Sequence, residues 1–593
     1  MSERVVHKGE FETFDGTKLV YREWEPHKSK EENDKEGEEK KALIVIHRGH
    51  EHSGRLHDLI EGMNCPDFYA FGYDGRGHGE SPGPRGYAPD FSYLVKDLDT
   101  FVRYVSQKHG IEMKNIFVVA NSVGAVIAST WVHDYAPQIR GMVLAAPAFK
   151  VKLYVPLALS GLRLLEMIKH PAFITSYVKS RFLTHDEEQA KMYDEDPLIT
   201  PDIAVNILIG LFDTSNRVVK DAAAITIPTQ IFSATRDFVV SNKPQKQFFE
   251  RLSSTKKEFI PLKGFFHGVL YEKEREIPFR EASRFIKECF NSPPHHINLL
   301  ESHKEGPMKR EYDLLHHDAP FFRGLNYTIQ KMAMKTLGIL SKGIEIGFKH
   351  GFDSGVSLDH VYENRAKGKL GLGKLIDYFY INAIGWKGIR QRKVHIQEAL
   401  EKAISELLNQ NKPVRIMDIG AGPGRYLQEL AKKYENEDVK VMIRDFAEAN
   451  IESGKTLAQE LGVKNAQFKI ADAFSKESYS KDEFSPNILI VSGLFELFPD
   501  NDLVRKAIDG AIDVMDSENG PCFVIYTGQP WHPQLEMIAH TLPNRDGKRW
   551  IMRRRTQQEL DQLFAEKGAK KTEMWIDKWG IFTVSLAQTK GNK

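Results

Sequence analysis

The chain has 593 residues, too many for one hydrophobic core, so two to four domains are expected. Its 82 Lys and Arg against 81 Asp and Glu leave no electrostatic footprint for nucleic acid. Cys65, Cys289 and Cys522 are far apart and form neither a CxxC pair nor a disulfide framework, which fits a reducing cytoplasm.

The first 24 residues are charged and alternating, which predicts a strand pair rather than a signal peptide. Residues 27–41, rich in Lys and Glu, read as a solvated loop. Short apolar runs then recur at 42–46, 68–74, 116–120, 141–146 and 228–234, with helical stretches between them. That alternation predicts a parallel α/β sheet. Residues 147–226 interrupt it with helical patterns and read as a cap over one sheet edge. Within the cap, "LYVPLALSGL" at 153–162 is too short to cross a bilayer but could lie peripherally against the inner membrane.

The stretch "FVVANSVGAVIA" (117–128) has the layout of a strand, a tight turn at Ser122 and a helix. This is the arrangement that exposes a nucleophilic serine, although Ala120 stands where G-x-S-x-G has its first glycine. Five residues with one departure do not decide between a nucleophile and a buried polar turn. Asp237, after the 228–234 strand, and His267, after the next, complete the order Ser, acid, His. Serine is a weak nucleophile until an imidazole takes its proton and a carboxylate orients that imidazole. Ser122, His267 and Asp237 are therefore the candidate catalytic residues.

Three further stretches carry a family resemblance. "VIHRGHEHSGR" resembles the H-G-x-G-E-H-S-G-R loop of monoacylglycerol lipases and lysophospholipases, "YDGRGHGESPG" their D-x-R-G-H-G-x-S element, and "MYDEDPLIT" their cap. The resemblance implies an oxyanion hole from the backbone N–H groups of Gly49 and Val123. It also accounts for His47, His50 and His52, so no metal site is expected there. Arg48 replaces the family's first loop glycine, and its side chain would narrow the pocket or meet an anionic headgroup. A non-catalytic acyl-binding module and an acyltransferase are the alternatives to a hydrolase.

Residues 291–324 are polar, proline-containing and aperiodic, which predicts a linker between a hydrolase domain (1–290) and the second half of the chain. Helical patterns return over 325–410, clearest in "HIQEALEKAISELL". A second strand–helix alternation runs over 411–593. In it, "RIMDIGAGPGRY" sets Asp418, Gly420, Gly422 and Gly424 between a strand and a helix, where glycines let backbone approach a ligand. Asp445 ends the next strand, where an acid can accept ribose hydroxyls. This D-x-G-x-G-x-G spacing resembles motif I of class I S-adenosylmethionine methyltransferases. The resemblance implies S-adenosyl-L-methionine as cofactor, adenine recognition at Asp472 and Ala473, a pocket floor at Ser492, Gly493 and Phe495, and a closing antiparallel hairpin. Tyr378, Tyr380, Trp386, Lys387, Arg390 and Arg392 form a candidate lid for the methionine carboxylate or an anionic substrate. The layout resembles bacterial fusions of an α/β hydrolase with a class I methyltransferase. The expected partners are small-molecule or lipid substrates, with no nucleic acid.

Overall fold

Runs that are apolar throughout, rather than alternating, become strands buried on both faces. In the computed structural model, which describes residues 4–27, 39–481, 483–517 and 520–589, the chain divides into two units, Met1–Ile297 and Asn298–Lys593. Most of the loop expected at 27–41 lies outside the described residues.

The first unit holds strands β1 (Val6–Glu12), β2 (Lys18–Trp24), β3 (Ala42–Ile46), β4 (Tyr69–Tyr73), β5 (Ile116–Asn121) and β6 (Gly141–Ala145). A small antiparallel pair, β7 (Phe173–Thr175) with β8 (Asp202–Ala204), precedes β9 (Thr229–Ala234) and β10 (Lys257–Leu262). The main sheet runs β1-β2-β4-β3-β5-β6-β9-β10. β1 and β2 are antiparallel additions at one edge, and every pair from β4 to β10 is parallel. All residues of β3, β5, β6 and β9 are buried, the physical counterpart of the apolar runs. Between β6 and β9 stand helices Ala158–Ile168, Glu187–Asp194 and Val205–Lys220. The β7–β8 pair among them gave no sequence signal, since three-residue strands are too short to display a period.

The second unit contains β11 (Val414–Ile419), β12 (Val439–Asp445), β13 (Ala466–Ile470), β14 (Ile488–Val491), β15 (Cys522–Gly528), β16 (Ala569–Ile576) and β17 (Thr583–Thr589). Its order is β13-β12-β11-β14-β15-β17-β16, with only β17 antiparallel to its two neighbours. Helix Ile384–Asn409 lays Ile396, Ala399, Leu400, Ala403, Ile404 and Leu407 onto this sheet's core.

The polar stretch 291–324 does not behave as a free linker throughout. It carries helix Pro307–His316, and its backbone is tied into the second unit: Leu299 N–H donates to Gln562 Oε1 (2.8 Å), and Asn501 Nδ2 donates to the Leu300 carbonyl (2.9 Å). No helix among the described residues is long and apolar enough to cross a membrane.

Candidate active sites

Ser122 sits where β5 turns into helix Val123–Tyr135, at φ 54° and ψ −112°. A left-handed φ on a non-glycine residue is strained, and it holds because both flanks are fixed. Ser122 N–H donates to the Ala145 carbonyl (2.9 Å), and Ala148 N–H donates to the Ser122 carbonyl (3.1 Å). Gly124 is required by packing, since a Cβ there would lie 2.5 Å from the His47 carbonyl oxygen. The elbow is therefore wedged against the loop after β3.

Ser122 Oγ lies 2.7 Å from His267 Nε2, and His267 Nδ1 lies 2.8 Å from Asp237 Oδ2. All three side chains are buried. Asp237 Oδ1 also accepts the N–H groups of Val239 (2.7 Å) and Val240 (2.8 Å). Burial alone would raise this carboxyl, but the His267 charge and these hydrogen bonds outweigh it and hold the acid below its ordinary range. An ionised Asp237 fixes the hydrogen on Nδ1 and leaves Nε2 free to accept the serine proton.

Gly49 and Val123 adjoin: a Cβ built on Gly49 would lie 3.3 Å from Val123 Cγ2. Both border a cavity of about 210 Å³ that also contains Ser122 and His267. The "YDGRGHGES" element organises this loop from below. Buried Asp74 accepts Ser53 N–H (2.7 Å), Ser53 Oγ (2.5 Å) and Glu80 N–H (2.8 Å), while Gly75 N–H donates to His47 Nε2 (3.0 Å). The Gly75 N–H thus gives His47 a structural partner.

Arg48 borders the cavity over Ser122. Its guanidinium donates to Glu51 Oε1 (2.8 Å) and lies 5.2 Å and 5.0 Å from the ring centres of Tyr193 and Tyr271. Sequence reading missed these anchors. His50 adopts φ 70° and stands where the family's loop has its second glycine, so the resemblance accounts for His47 and His52 but not for His50. Lys152 was also missed; its Nζ donates to the Asp237 carbonyl (2.5 Å) from the cap side.

In the second unit, Gly420, Gly422 and Gly424 have φ values of 74°, 59° and 71°. Three left-handed residues in five explain the glycines directly. The loop borders a cavity of about 320 Å³ shared with Asp445, Asp472, Ala473 and Ser492. Asp445 Oδ2 accepts Gly422 N–H (2.8 Å), and its Oδ1 accepts Ala447 N–H (2.8 Å) and Asn450 Nδ2 (3.0 Å). This acid thus braces the glycine loop as well as bordering the cavity. Asp472 is exposed, and its Oδ1 accepts Phe474 N–H (2.9 Å).

Two sequence assignments change. Asp418 does not border the cavity: it is fully buried beneath the glycine loop and accepts the Tyr426 hydroxyl. Phe495 belongs to the core beside β14 instead of the pocket floor. Burial, with the negative Asp445 adding to it, pushes the Asp418 carboxyl up to about 7. A pKa raised by folding gives stability that is complete at low pH and lost as pH rises through about 7. Relative to Asp418→Asn, the ligand-free wild type is therefore expected to lose melting temperature between pH 6 and pH 8. Calorimetric scans of both proteins check it.

The candidate lid also separates. Lys387 is exposed, and Arg390 donates to the Ile381 carbonyl (2.5 Å). Arg392 alone of the three is buried, bordering both the glycine-loop cavity and a neighbouring cavity of about 210 Å³. That second cavity is mostly apolar, with Trp386, Ile389, Met537, Trp550, Met552 and Phe582 among its walls. Its polar groups include Glu496, whose buried carboxylate oxygens have no hydrogen-bond partner, and His532. Burial lowers His532 to about 4, and its Nδ1 accepts Gln534 N–H (3.1 Å), so the neutral ring carries its hydrogen on Nε2. No sequence pattern marked His532, since "QPWHPQ" reads only as a loop after β15.

A serine–histidine–aspartate arrangement on one sheet and a glycine-loop cavity on another define a two-enzyme chain, a serine hydrolase joined to a methyltransferase. A family described as "Putative methyltransferase" matches residues 282–589, and one described as "Serine aminopeptidase, S33" matches residues 37–274. The "Uncharacterized protein YnbC" of Escherichia coli (strain K12) is 43% identical over 589 residues, covering 98% of each chain. The protein belongs to the family of that full-length relative and to the methyltransferase family that spans its second half. "Monoglyceride lipase" of Rattus norvegicus is 28% identical over 295 residues, which cover 49% of this chain and 88% of that one. The crystal structure of Paleococcus ferrophilus monoacylglycerol lipase covers 48% of this chain and 99% of its own, with 22% identity and a TM-score of 0.39.

Proposed function

We propose that the first unit hydrolyses the carboxylic ester of a monoacyl lipid and that the second transfers a methyl group from S-adenosyl-L-methionine to an apolar small molecule or lipid. The hydrogen-bond chain from Ser122 Oγ through His267 to Asp237, at a strained elbow, carries the first half. Ser122 Oγ attacks the ester carbonyl carbon as His267 Nε2 takes its proton, and the N–H groups of Gly49 and Val123 receive the developing oxyanion. His267 then protonates the departing alcohol, and water deacylates Ser122 by the same route. The apolar walls of the cavity, including Ile127, Leu208 and Leu211, suit an acyl chain, as each buried methylene gains about 0.8 kcal/mol. The curated relatives named monoglyceride lipases support the same substrate class. Exposed Leu157, Leu164, Met167 and Ile168 on the cap suit peripheral contact with a lipid surface.

For the second half, the left-handed glycine loop and Asp445 around one cavity support a nucleoside-bearing methyl donor. Gly420, Gly422 and Gly424 would take its backbone-contacting part, Asp445 its ribose hydroxyls, Asp472 and Ala473 its adenine, and Ser492 the pocket floor. Bound S-adenosyl-L-methionine supplies an electrophilic methyl group. The adjoining apolar cavity would hold the acceptor, with Arg392 at the junction and His532 offering a donor.

The experiment is incubation of the full chain with 1-oleoylglycerol and methyl-labelled donor, then separate assays of free oleate and of label in the lipid extract. Release of oleate and appearance of labelled lipid are expected. Absence of oleate release would remove the lipid esterase reading, and label found only in protein or RNA would remove the acceptor assignment.

A further inference from the structure

The helix Phe321–Thr336 has the sequence FFRGLNYTIQKMAMKT, and none of its residues is buried. Its inner side is nevertheless engaged. Met334 borders the apolar cavity beside the glycine loop, and the Tyr327 ring stacks on His540 with centres 5.5 Å apart. Its outer side is apolar as well. Phe322, Leu325, Ile329 and Met332 recur at i, i+3, i+7 and i+10, one continuous stripe, and all are exposed. A surface helix in water normally turns a polar face outward. This one is apolar on both sides.

The apolar surface continues into neighbouring elements. The turn after the helix exposes Leu337 and Ile339. Helix Leu370–Ile381 packs beside that turn, where Lys369 N–H donates to the Leu340 carbonyl (2.8 Å). It exposes Leu370, Leu372, Leu375, Tyr378 and Phe379, with Leu370 at 82% and Phe322 on the first helix at 83% exposure. So many large apolar side chains in adjoining elements exceed the scattered exposure of ordinary protein surface.

The exposed charges that the two helices themselves carry are cationic. The first helix has Lys331, Lys335 and Arg323, the last paired with Glu536 (2.9 Å), and no carboxylate of its own. The second carries Lys374 and one acid, Asp377, which is fully buried and accepts Ser341 Oγ (2.5 Å) and Gly343 N–H (2.8 Å). The exposed faces of these two helices therefore present apolar and cationic groups and no anion.

We infer that helices Phe321–Thr336 and Leu370–Ile381 form a docking face for an anionic lipid surface. Apolar side chains enter the acyl boundary while Lys335 and Lys374 meet the headgroups, the division of labour of interfacial helices. Because Met334 lies on the opposite side of the first helix, over the apolar cavity, docking brings that cavity beside the lipid source of its acceptor. The delivery step rests on the methyltransferase reading; the docking face does not.

The test is co-sedimentation of the full chain with vesicles of phosphatidylcholine alone and of phosphatidylcholine with roughly one third phosphatidylglycerol. Binding is expected to the anionic vesicles and to be at least about tenfold weaker to neutral ones. Phe322→Glu with Leu370→Glu, and separately Lys335→Glu with Lys374→Glu, are each expected to weaken it about tenfold or more. Hydrolysis of a short soluble ester and donor affinity should stay at wild-type values in both variants, which also reports that they fold. Absence of binding to anionic vesicles overturns the inference. So does binding that both variants retain, which would assign it to the hydrolase cap, or self-association in sedimentation velocity that the variants abolish, which would make the occupant a second copy. Failure of the wild-type chain to bind S-adenosylmethionine would instead strike the methyltransferase reading and leave the vesicle result standing.

Discussion

Ser122→Ala should abolish turnover of p-nitrophenyl acetate, lowering kcat by about 10⁴-fold or more, while the affinity for S-adenosylmethionine stays unchanged. The arrangement of the triad sets that size. His267 Nε2, 2.7 Å from Ser122 Oγ, has its tautomer set by Asp237 at 2.8 Å, so the base is already aimed at a proton that only the serine carries. Alanine fits the elbow without adding volume, and the backbone hydrogen bonds to Ala145 and from Ala148 do not involve the side chain. The variant should therefore fold normally and lose only the nucleophile. A steady-state assay on purified protein checks it, and substantial esterase activity in the variant would remove Ser122 from the mechanism.

Asp445→Ala should weaken S-adenosylmethionine binding by more than about tenfold while leaving ester hydrolysis intact. Two losses combine in this substitution. The donor's ribose hydroxyls lose their proposed acceptor, and the N–H groups of Gly422 and Ala447 lose the carboxylate that accepts them at 2.8 Å. Asp445→Asn separates the two, since an amide oxygen can still accept one N–H while the charge is gone, so an intermediate affinity is expected. Titration calorimetry measures both. Unchanged affinity in the alanine variant, or tight NADH binding by the wild type, would contradict the assignment of the cavity.

The sequence was most legible where one physical demand fixed the residue type. Fully buried parallel strands demand unbroken apolar runs, and "ALIVI" and "IFVVA" lie in β3 and β5. Left-handed backbone demands glycine, and Gly420, Gly422 and Gly424 all have positive φ. Legibility failed where a side chain's role depended on a distant partner. Asp418 looks like a ligand by spacing, but Tyr426, in the first turn of the next helix, takes its carboxylate beneath the loop. Residues 298–311 looked like linker because the partners of Leu299, Leu300 and Glu311, namely Gln562, Asn501 and Arg554, are more than two hundred positions away. The apolar cavity beside the glycine loop is assembled from Met334, Trp386, His532 and Phe582, which no local pattern connects. Arg48 shows the same limit: read in sequence only as narrowing the pocket or meeting a headgroup, it is held by Glu51, Tyr193 and Tyr271.

The central claim, two independent active sites on one chain, is tested most directly by native mass spectrometry of the full-length protein after exposure to a fluorophosphonate and S-adenosylmethionine together. The account predicts a single species carrying one covalent phosphonyl group, located on the Ser122 peptide, and one non-covalently bound S-adenosylmethionine. A chain that acquires no adduct, or an adduct-bearing chain that binds no S-adenosylmethionine, would contradict it.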